Sequence, residues 1–401
     1  MTLDEGAAGV IAPYLERPGQ VTQLRGATKM RLDGFQFNIG VLGATGYIGT
    51  PYREEIRQAT GAKIVALCAR RMDLLEAAQK QDQARLITND WREVVEHPDV
   101  NLILVATPDA LHYEAVMAAA EAGKHMICDK PIGMNAKEAF DMWSAYRDAD
   151  KKLVHFVPYW TRYSDIFVRA KEVVESGVLG DIRGIIYRWL NPRPPDMPLT
   201  WRDDASLSAG GSIADVGSHS YDTIRWLLGI EAKRVLAHAD VISAPKADLG
   251  SINLAEALEY GAKPSGTRSQ RKGTAFDYAN IAWEFETGAV GSIIVSHASF
   301  LRKGLAPEVE LHGTDAALGI DRFNGLLTLW REQGQVSEVV DRIPVSGLGN
   351  RFEKFVFPSL RKMLADGDTS HPNLEDGWRV QLFTDAAIRS AQTGQWANVE
   401  E

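Results

Sequence analysis

Asp215 and His219 stand four residues apart in the run Gly210-Gly211-Ser212-Ile213-Ala214-Asp215-Val216-Gly217-Ser218-His219-Ser220-Tyr221-Asp222. On a helix of about 3.6 residues per turn, that spacing stacks a carboxylate over an imidazole on one face. An acid beside a histidine fixes its tautomer and raises its basicity, which suits a general base near neutral pH. The paired glycines ahead of the acid admit close approach by backbone or ligand. The bland alternative is a surface Asp-His pair on an ordinary helix. A second reactive group is Lys130, in Cys128-Asp129-Lys130-Pro131. A lysine at a strand end, stiffened by the following proline, presents its ammonium to a cleft. There it can hydrogen-bond a hydroxyl and stabilise alkoxide character as a proton leaves. Taken alone the tripeptide is a surface turn, so its meaning depends on where the chain puts it.

The elements that must position these groups start with a predicted buried strand at residues 37–42, followed at once by Gly43-Ala44-Thr45-Gly46-Tyr47-Ile48-Gly49. A helix is expected over residues 47–59, with Pro51 tolerated in its first turn. Strand, glycine loop and helix in that order rest a pyrophosphate on the helix N-terminus. The glycine spacing is one residue wider than the commoner G-x-G-x-x-G, and a merely tight strand-to-helix turn is the alternative. Further apolar strands are expected at 63–68, 100–106, 125–128 and 152–156, with helices over 72–83, 110–122 and 136–148. Such alternation implies parallel βαβ units, whose ligands lie at the carboxyl ends of the strands. Thr107, Asp129, Lys130 and Tyr159 all fall at or just past those ends.

Beyond Pro158 the pattern changes. Strands are expected at 184–189, 234–239, 278–285, 290–296 and 309–312, with Glu286-Thr287-Gly288-Ala289 as a hairpin turn. They point to a large, mainly antiparallel open sheet. The polar stretch 244–274 is long for a connection and is expected to be a surface excursion near the site or a subunit contact. The expected class is therefore α/β: an arm or tail over 1–36, a dinucleotide-binding Rossmann domain over 37–157, and an α+β substrate-binding and oligomerisation domain over 158–401.

The ordered set of glycine loop, Ala106-Thr107-Pro108-Asp109-Ala110-Leu111-His112, Asp129-Lys130-Pro131, Arg162 and Gly210 through Asp222 resembles the Gfo/Idh/MocA oxidoreductases, the glucose-fructose oxidoreductase and inositol dehydrogenase family. The resemblance spans roughly residues 37 to 330. Three positions depart from the family habit: Asp129 stands for the usual Glu, Asp109 for the usual Asn, and Ser212 for a frequent third glycine. The resemblance implies that Lys130, Asp215 and His219 form the catalytic group. His219 would take the hydroxyl proton, Asp215 would orient it, and Lys130 would contact hydroxyl and ribose while hydride passes to a nicotinamide. It further implies cofactor contacts from Gly43, Ala44, Thr45, Gly46, Tyr47, Ile48, Ala69, Thr107, Pro108, His112, Asp129 and Lys130, and dimerisation or tetramerisation through the free face of the second sheet.

Cofactor choice is read at the end of the second strand, Cys68-Ala69-Arg70-Arg71, where no acid precedes Asp73. NAD sites place an acid there, whereas Arg70 and Arg71 suit a 2′-phosphate, so NADP is expected, with NAD as the alternative. Solvated arginines, or one stacked on adenine, are the other readings. Tyr159, Arg162, Trp201 and Arg202 are expected to bind substrate together with Asp215 and His219; aromatic faces among arginines suit a polyhydroxylated ring. Trp160 and Trp189 flank the same cleft, and Arg188, Arg193 and Arg202 hint at an anionic or bulky sugar.

With 401 residues, 45% hydrophobic and 24% charged, the chain has the composition of a soluble globular protein. A net charge of -9 argues against nucleic acid as the main partner. No apolar run approaches the roughly 18 residues of a membrane span, the first residues lack a signal-peptide pattern, and no metal is assigned. Cys68 and Cys128, with no disulfide framework, suit reduced thiols in a cytoplasm. Three functions compete: a sugar or polyol dehydrogenase, a glycosidase that retains its nicotinamide and works through a transient keto sugar, and a non-catalytic ligand sensor. The dehydrogenase leads; a sensor would be expected to lose Lys130 or His219, and both are present, while net reduction of cofactor separates the dehydrogenase from the glycosidase.

Overall fold

Apolar runs that are hydrophobic on both sides can be satisfied only by a sheet covered on both faces. That is what β1 (Phe37–Leu42), β2 (Ala62–Cys68), β3 (Leu86–Thr88), β4 (Leu102–Val105), β5 (His125–Cys128) and β6 (His155–Phe156) build in a computed structural model. The structure describes residues 35–250, 252–262, 269–301, 307–331, 338–344 and 347–400. All but the last two residues of the expected N-terminal arm lie outside that set. The six strands pair in parallel in the order β3-β2-β1-β4-β5-β6. All four residues of β4 are buried. The connecting helices are α1 (Gly49–Gln58), α2 (Met72–Asp82), α3 (Trp91–Glu96), α4 (His112–Glu121) and α5 (Ala136–Arg147). Strand order reverses between β1 and β4, and a crevice opens at the carboxyl ends of strands where that happens. The strand expected at 152–156 is reduced to two residues, and β3 and α3 were not anticipated, being too short to carry a period.

The rest of the chain forms α6 (Asp165–Glu175), β7 (Ile182–Leu190), α7 (Ser218–Leu228), β8 (Ala232–Asp240), β9 (Lys246–Ala247), α8 (Leu254–Ala262), β10 (Gln270–Arg271), β11 (Tyr278–Phe285), β12 (Val290–Ser296), β13 (Glu308–Gly313), β14 (Ala317–Asp321), β15 (Leu326–Trp330), β16 (Glu338–Arg342), α9 (Phe357–Asp366), α10 (Leu374–Thr393) and β17 (Ala397–Asn398). A nine-stranded sheet runs β16-β15-β14-β13-β7-β12-β11-β8-β17, antiparallel except where β7 meets β12. Every second residue of β11 faces inward: Ile281, Trp283 and Phe285 are buried. Helices α7 and α10 cover this face, with Tyr221 stacked on Phe383 at 4.1 Å and Phe383 tilted against Trp283 at 5.9 Å. That packing fixes the helix that begins at Ser218. β9 and β10 pair as a small hairpin with α8 between them.

The first core draws on residues far beyond the boundary expected at residue 157. Phe352, Val356, Phe357 and Leu360 return to pack with Phe37, Tyr52 and Phe156 of the first domain. Phe37 and Phe357 stack at 5.2 Å.

Candidate active site

The loops after β1 and β4 touch at Gly43. Its φ is +80°, and a Cβ there would lie 2.3 Å from the Ala106 carbonyl oxygen, so any side chain would push the two loops apart. The Cys68 carbonyl accepts from the amides of Gly43 and Ala44 at 2.9 and 3.1 Å, which pins the loop to β2. Around it opens a cleft of about 790 Å³. Gly43, Thr45, Gly46, Tyr47 and Ile48 line it, with Ala69, Arg70 and Arg71 past β2, Thr107 and Pro108 past β4, and Asp129 and Lys130 past β5. The Thr107 hydroxyl on this wall is buried without a hydrogen-bond partner, a group that a bound polar ligand would satisfy. Half-buried glycine backbone lining the cleft, the helix start and an orphaned hydroxyl together fit a dinucleotide.

Two residues expected to touch the cofactor stand behind the wall. Ala44 is fully buried in the first core, because the loop turns its methyl inward. His112 is also buried, with its ring nitrogens each 3.0 Å from the carbonyls of Thr107 and Pro131. It braces the β4 and β5 loops against each other.

A second cavity of about 320 Å³ adjoins the cleft and shares Tyr47, Ile48, Asp129, Lys130, Arg202 and Asp215 with it. His219, Trp160, Trp189, Arg193, Arg351 and Leu258 complete much of its lining. The groups that the sequence singled out as reactive thus meet across the domain junction. Lys130 Nζ donates to Asp215 Oδ1 at 2.6 Å and to the Asp215 carbonyl at 3.0 Å. Burial alone would raise the Asp215 pKa, but Lys130, His297 and Arg202 carry it well below the usual carboxylate range.

The stacked Asp215–His219 pair is where expectation and structure part. Residues Ile213–Gly217 form a π turn before α7, and this wider i→i+5 winding breaks the four-residue alignment. Gly211 sets it up: at φ +60° a Cβ would lie 2.0 Å from the Phe276 carbonyl, which instead accepts from Ser212 N at 2.7 Å. The Asp215 carboxylate consequently turns to Lys130 and to His297 Nε2, 3.1 Å away. His219 Nδ1 is left buried with no hydrogen-bond partner. The imidazole is held by rings instead, with Trp189 tilted at 5.5 Å and Tyr159 edge-on at 5.8 Å. Burial first, and the nearby Lys130 charge second, hold its pKa well below the ordinary histidine value.

The substrate-binding expectations divide. Arg202 lines both cavities, with its guanidinium over the Trp201 ring at 4.3 Å, and Trp201 lines the cofactor cleft. Tyr159 is fully buried behind His219. Arg162 is a correction. It lies in a short turn, Trp160–Tyr163, and its guanidinium forms a buried ion pair with Asp222 at 2.5 Å and a second with Asp376 at 2.9 Å. Its charge is neutralised inside the protein and does not reach the cavity wall. Trp189 and Arg193, noted only in passing from the sequence, line the cavity instead.

Sequence reading missed His297, Glu256 and Arg351. His297 is a lone histidine after a strand, and nothing in its neighbours marks it. Glu256 sits on α8 within the polar excursion and reaches Arg71. Arg351 arrives from the C-terminal return, its guanidinium 4.9 Å from the Tyr52 ring and 4.8 Å from that of Trp160.

Comparison with known families matches the oxidoreductase family model with an NAD-binding Rossmann fold over residues 37–156 and the GFO/IDH/MocA C-terminal domain over 167–319. The chain belongs to the Gfo/Idh/MocA oxidoreductase family. Within this family it is 29% identical over 340 residues to levoglucosan dehydrogenase of Pseudarthrobacter phenanthrenivorans, covering 78% of this chain and 84% of the relative. It is 29% identical over 375 residues to myo-inositol 2-dehydrogenase of Thermotoga maritima, covering 90% and 98%. A solved levoglucosan dehydrogenase in complex with NADH and L-sorbose superposes with a TM-score of 0.75 at 25% identity, over 91% of this chain and 99% of that one. The Gfo/Idh/MocA architecture of a parallel Rossmann sheet and a large, mainly antiparallel second sheet is therefore this protein's own. Among the described residues no helix is long and apolar enough to cross a membrane.

Proposed function

We propose that the protein oxidises a carbon-bound hydroxyl of a sugar, polyol or glycoside, with NAD(P) as hydride acceptor and His219 as general base. The observation that carries this reading is that Lys130, Asp215 and His219 border one chamber that opens into the dinucleotide cleft. Aromatic walls from Trp160 and Trp189, set among arginines, suit a polyhydroxylated ring. Relatives named levoglucosan dehydrogenase and myo-inositol 2-dehydrogenase support the same class.

A nicotinamide bound in the cleft supplies the acceptor for the hydride leaving the carbinol carbon. Lys130, anchored on Asp215, donates to the substrate oxygen and stabilises its growing negative charge. His219 takes the proton. Its Nδ1 is sealed, so the substrate meets Nε2, and the depressed pKa keeps the ring neutral and ready to accept. The experiment is a panel of sugars, polyols and glycosides with each cofactor, following reduced nicotinamide and product together. One reduced cofactor per oxidised hydroxyl is the expected result. Glycoside cleavage without net reduction would replace this reading by the retained-nicotinamide glycosidase, and binding without turnover would replace it by a sensor.

Cofactor preference turns on Arg71. Its guanidinium is held by Asp73 at 2.8 Å and by Glu256 at 2.6 Å, so a 2′-phosphate would have to displace a carboxylate. Glu256 lines the cleft and can accept from a ribose 2′-hydroxyl. This arrangement moves the reading from NADP, expected from the arginines alone, to NAD. Glu256→Gln, which keeps the size of the side chain, is expected to lower the KM for NADP about 10-fold, with NAD changed less than about threefold. A wild-type preference for NADP, lost selectively when Arg70 and Arg71 are both replaced, would restore the NADP reading.

A further inference from the structure

His297 sits outside the catalytic group, yet its ring contacts the carboxylate that anchors Lys130, at 3.1 Å. It follows β12, and its backbone is tightly held: His297 N donates to the Asp277 carbonyl at 2.8 Å, and Ser296 Oγ donates to the same oxygen at 2.7 Å. Its ring is buried between Asp215 and Arg193. Arg193 comes from the chain beyond β7 and is itself buried. One of its terminal nitrogens lies 3.2 Å from His297 Nδ1, and that same nitrogen is 3.8 Å from Asp215.

A guanidinium has donors and no acceptor. The Arg193 contact therefore requires a lone pair on His297 Nδ1, which places the ring hydrogen on Nε2. Nε2 is the atom 3.1 Å from Asp215 Oδ2. Burial first, and Arg193 second, hold the imidazole pKa down to about 4, so the ring stays neutral at working pH. The His297–Asp215 pair lies within ion-pair distance at 3.1 Å, with Nε2 short of full hydrogen-bond geometry.

We propose that His297 is a positioning residue: Arg193 locks it as the Nε2–H tautomer, and that hydrogen holds one oxygen of Asp215 so that the other aims the Lys130 ammonium into the chamber. The proposal rests on the role given to Lys130 and Asp215 above. It goes beyond that role by adding a buried chain, Arg193–His297–Asp215–Lys130, drawn from four separate parts of the fold. Because the histidine acts through Asp215, losing it should change turnover and leave cofactor capture alone.

The test compares His297→Gln with His297→Asn. A glutamine amide nitrogen reaches the place of Nε2, whereas the shorter asparagine ends near Nδ1 and cannot reach Asp215. His297→Asn is expected to lower kcat by about 10- to 100-fold, the scale of a misplaced reacting group, with the sugar KM and the NADH dissociation constant within about threefold. His297→Gln is expected to recover kcat to within about threefold of the parent. Equal loss in both variants, or a loss that follows melting temperature or NADH affinity, would overturn the proposal. A second readout needs no turnover, so it separates failure of this proposal from failure of the dehydrogenase reading. In ring ¹⁵N spectra of the full chain, the signal that disappears in His297→Gln should be a neutral Nε2–H imidazole at pH 7. An Nδ1–H tautomer or an imidazolium there would sink the idea whatever the substrate proves to be.

Discussion

Replacing His219 by alanine is expected to lower kcat by about 10²–10⁴-fold at neutral pH, the range lost with a general base, while NADH binding persists. The ring lies on the wall of the sugar-sized chamber and is not among the residues lining the dinucleotide cleft, so affinity for the cofactor should barely register its removal. Lys130→Met should be at least as damaging. Its ammonium lines both cavities, so this variant is expected to weaken cofactor as well. The pH profile gives a second check. A base is lost when it is protonated, and burial with Lys130 nearby depresses the His219 pKa. The acid limb of kcat/KM assigned to this residue should therefore fall below the ordinary histidine value near 6.5, and activity should extend to lower pH. A near-normal rate in the alanine variant would refute the assignment.

The second large effect is on stability. Arg162→Leu is expected to destabilise the protein by about 3–5 kcal/mol, because it strands Asp222 without its buried counter-ion, whereas Asp376 keeps Arg225 at 3.1 Å. Burial pushes the Asp222 pKa up to about 6 even with Arg162 beside it, so the carboxylate depends on that partner for its charge. Melting temperature and denaturant midpoint should both fall, and Arg162→Leu combined with Asp222→Leu should recover part of the loss. The sugar preference of whatever enzyme remains should be unchanged. A variant of normal stability with an altered sugar profile would instead place Arg162 in the substrate pocket, as its position in the sequence had implied.

Those two residues mark how far the site could be read in the chain. The glycine loop, the strand ends at Thr107 and Lys130, and the Asp215–His219 segment each carry a local signature, and the structure gathers them at one domain junction. Arg162 and Arg202 look alike in sequence, each an arginine near tryptophan in a loop between predicted elements. One is spent inside an ion-pair network with residues 60 and more positions away, and the other lines the cavities.

What the sequence determined by itself was what short-range chemistry records: the period of buried strands and helices, the turn that only Gly43 permits, and the residue types able to move a proton. Partnership between distant side chains was decided by the tertiary structure. Asp215 lies 85 residues from Lys130, Arg193 104 from His297, and Arg71 185 from Glu256. Each pairing exists because packing of the second sheet, α7 and the excursion brings those chain segments together, and no local period encodes that distance. The π turn at Ile213–Gly217 shows the same division most sharply. A four-residue spacing predicts a stacked acid and base, but contact between Gly211 and Phe276 rewinds the turn and hands the acid to a lysine and a histidine from elsewhere in the fold.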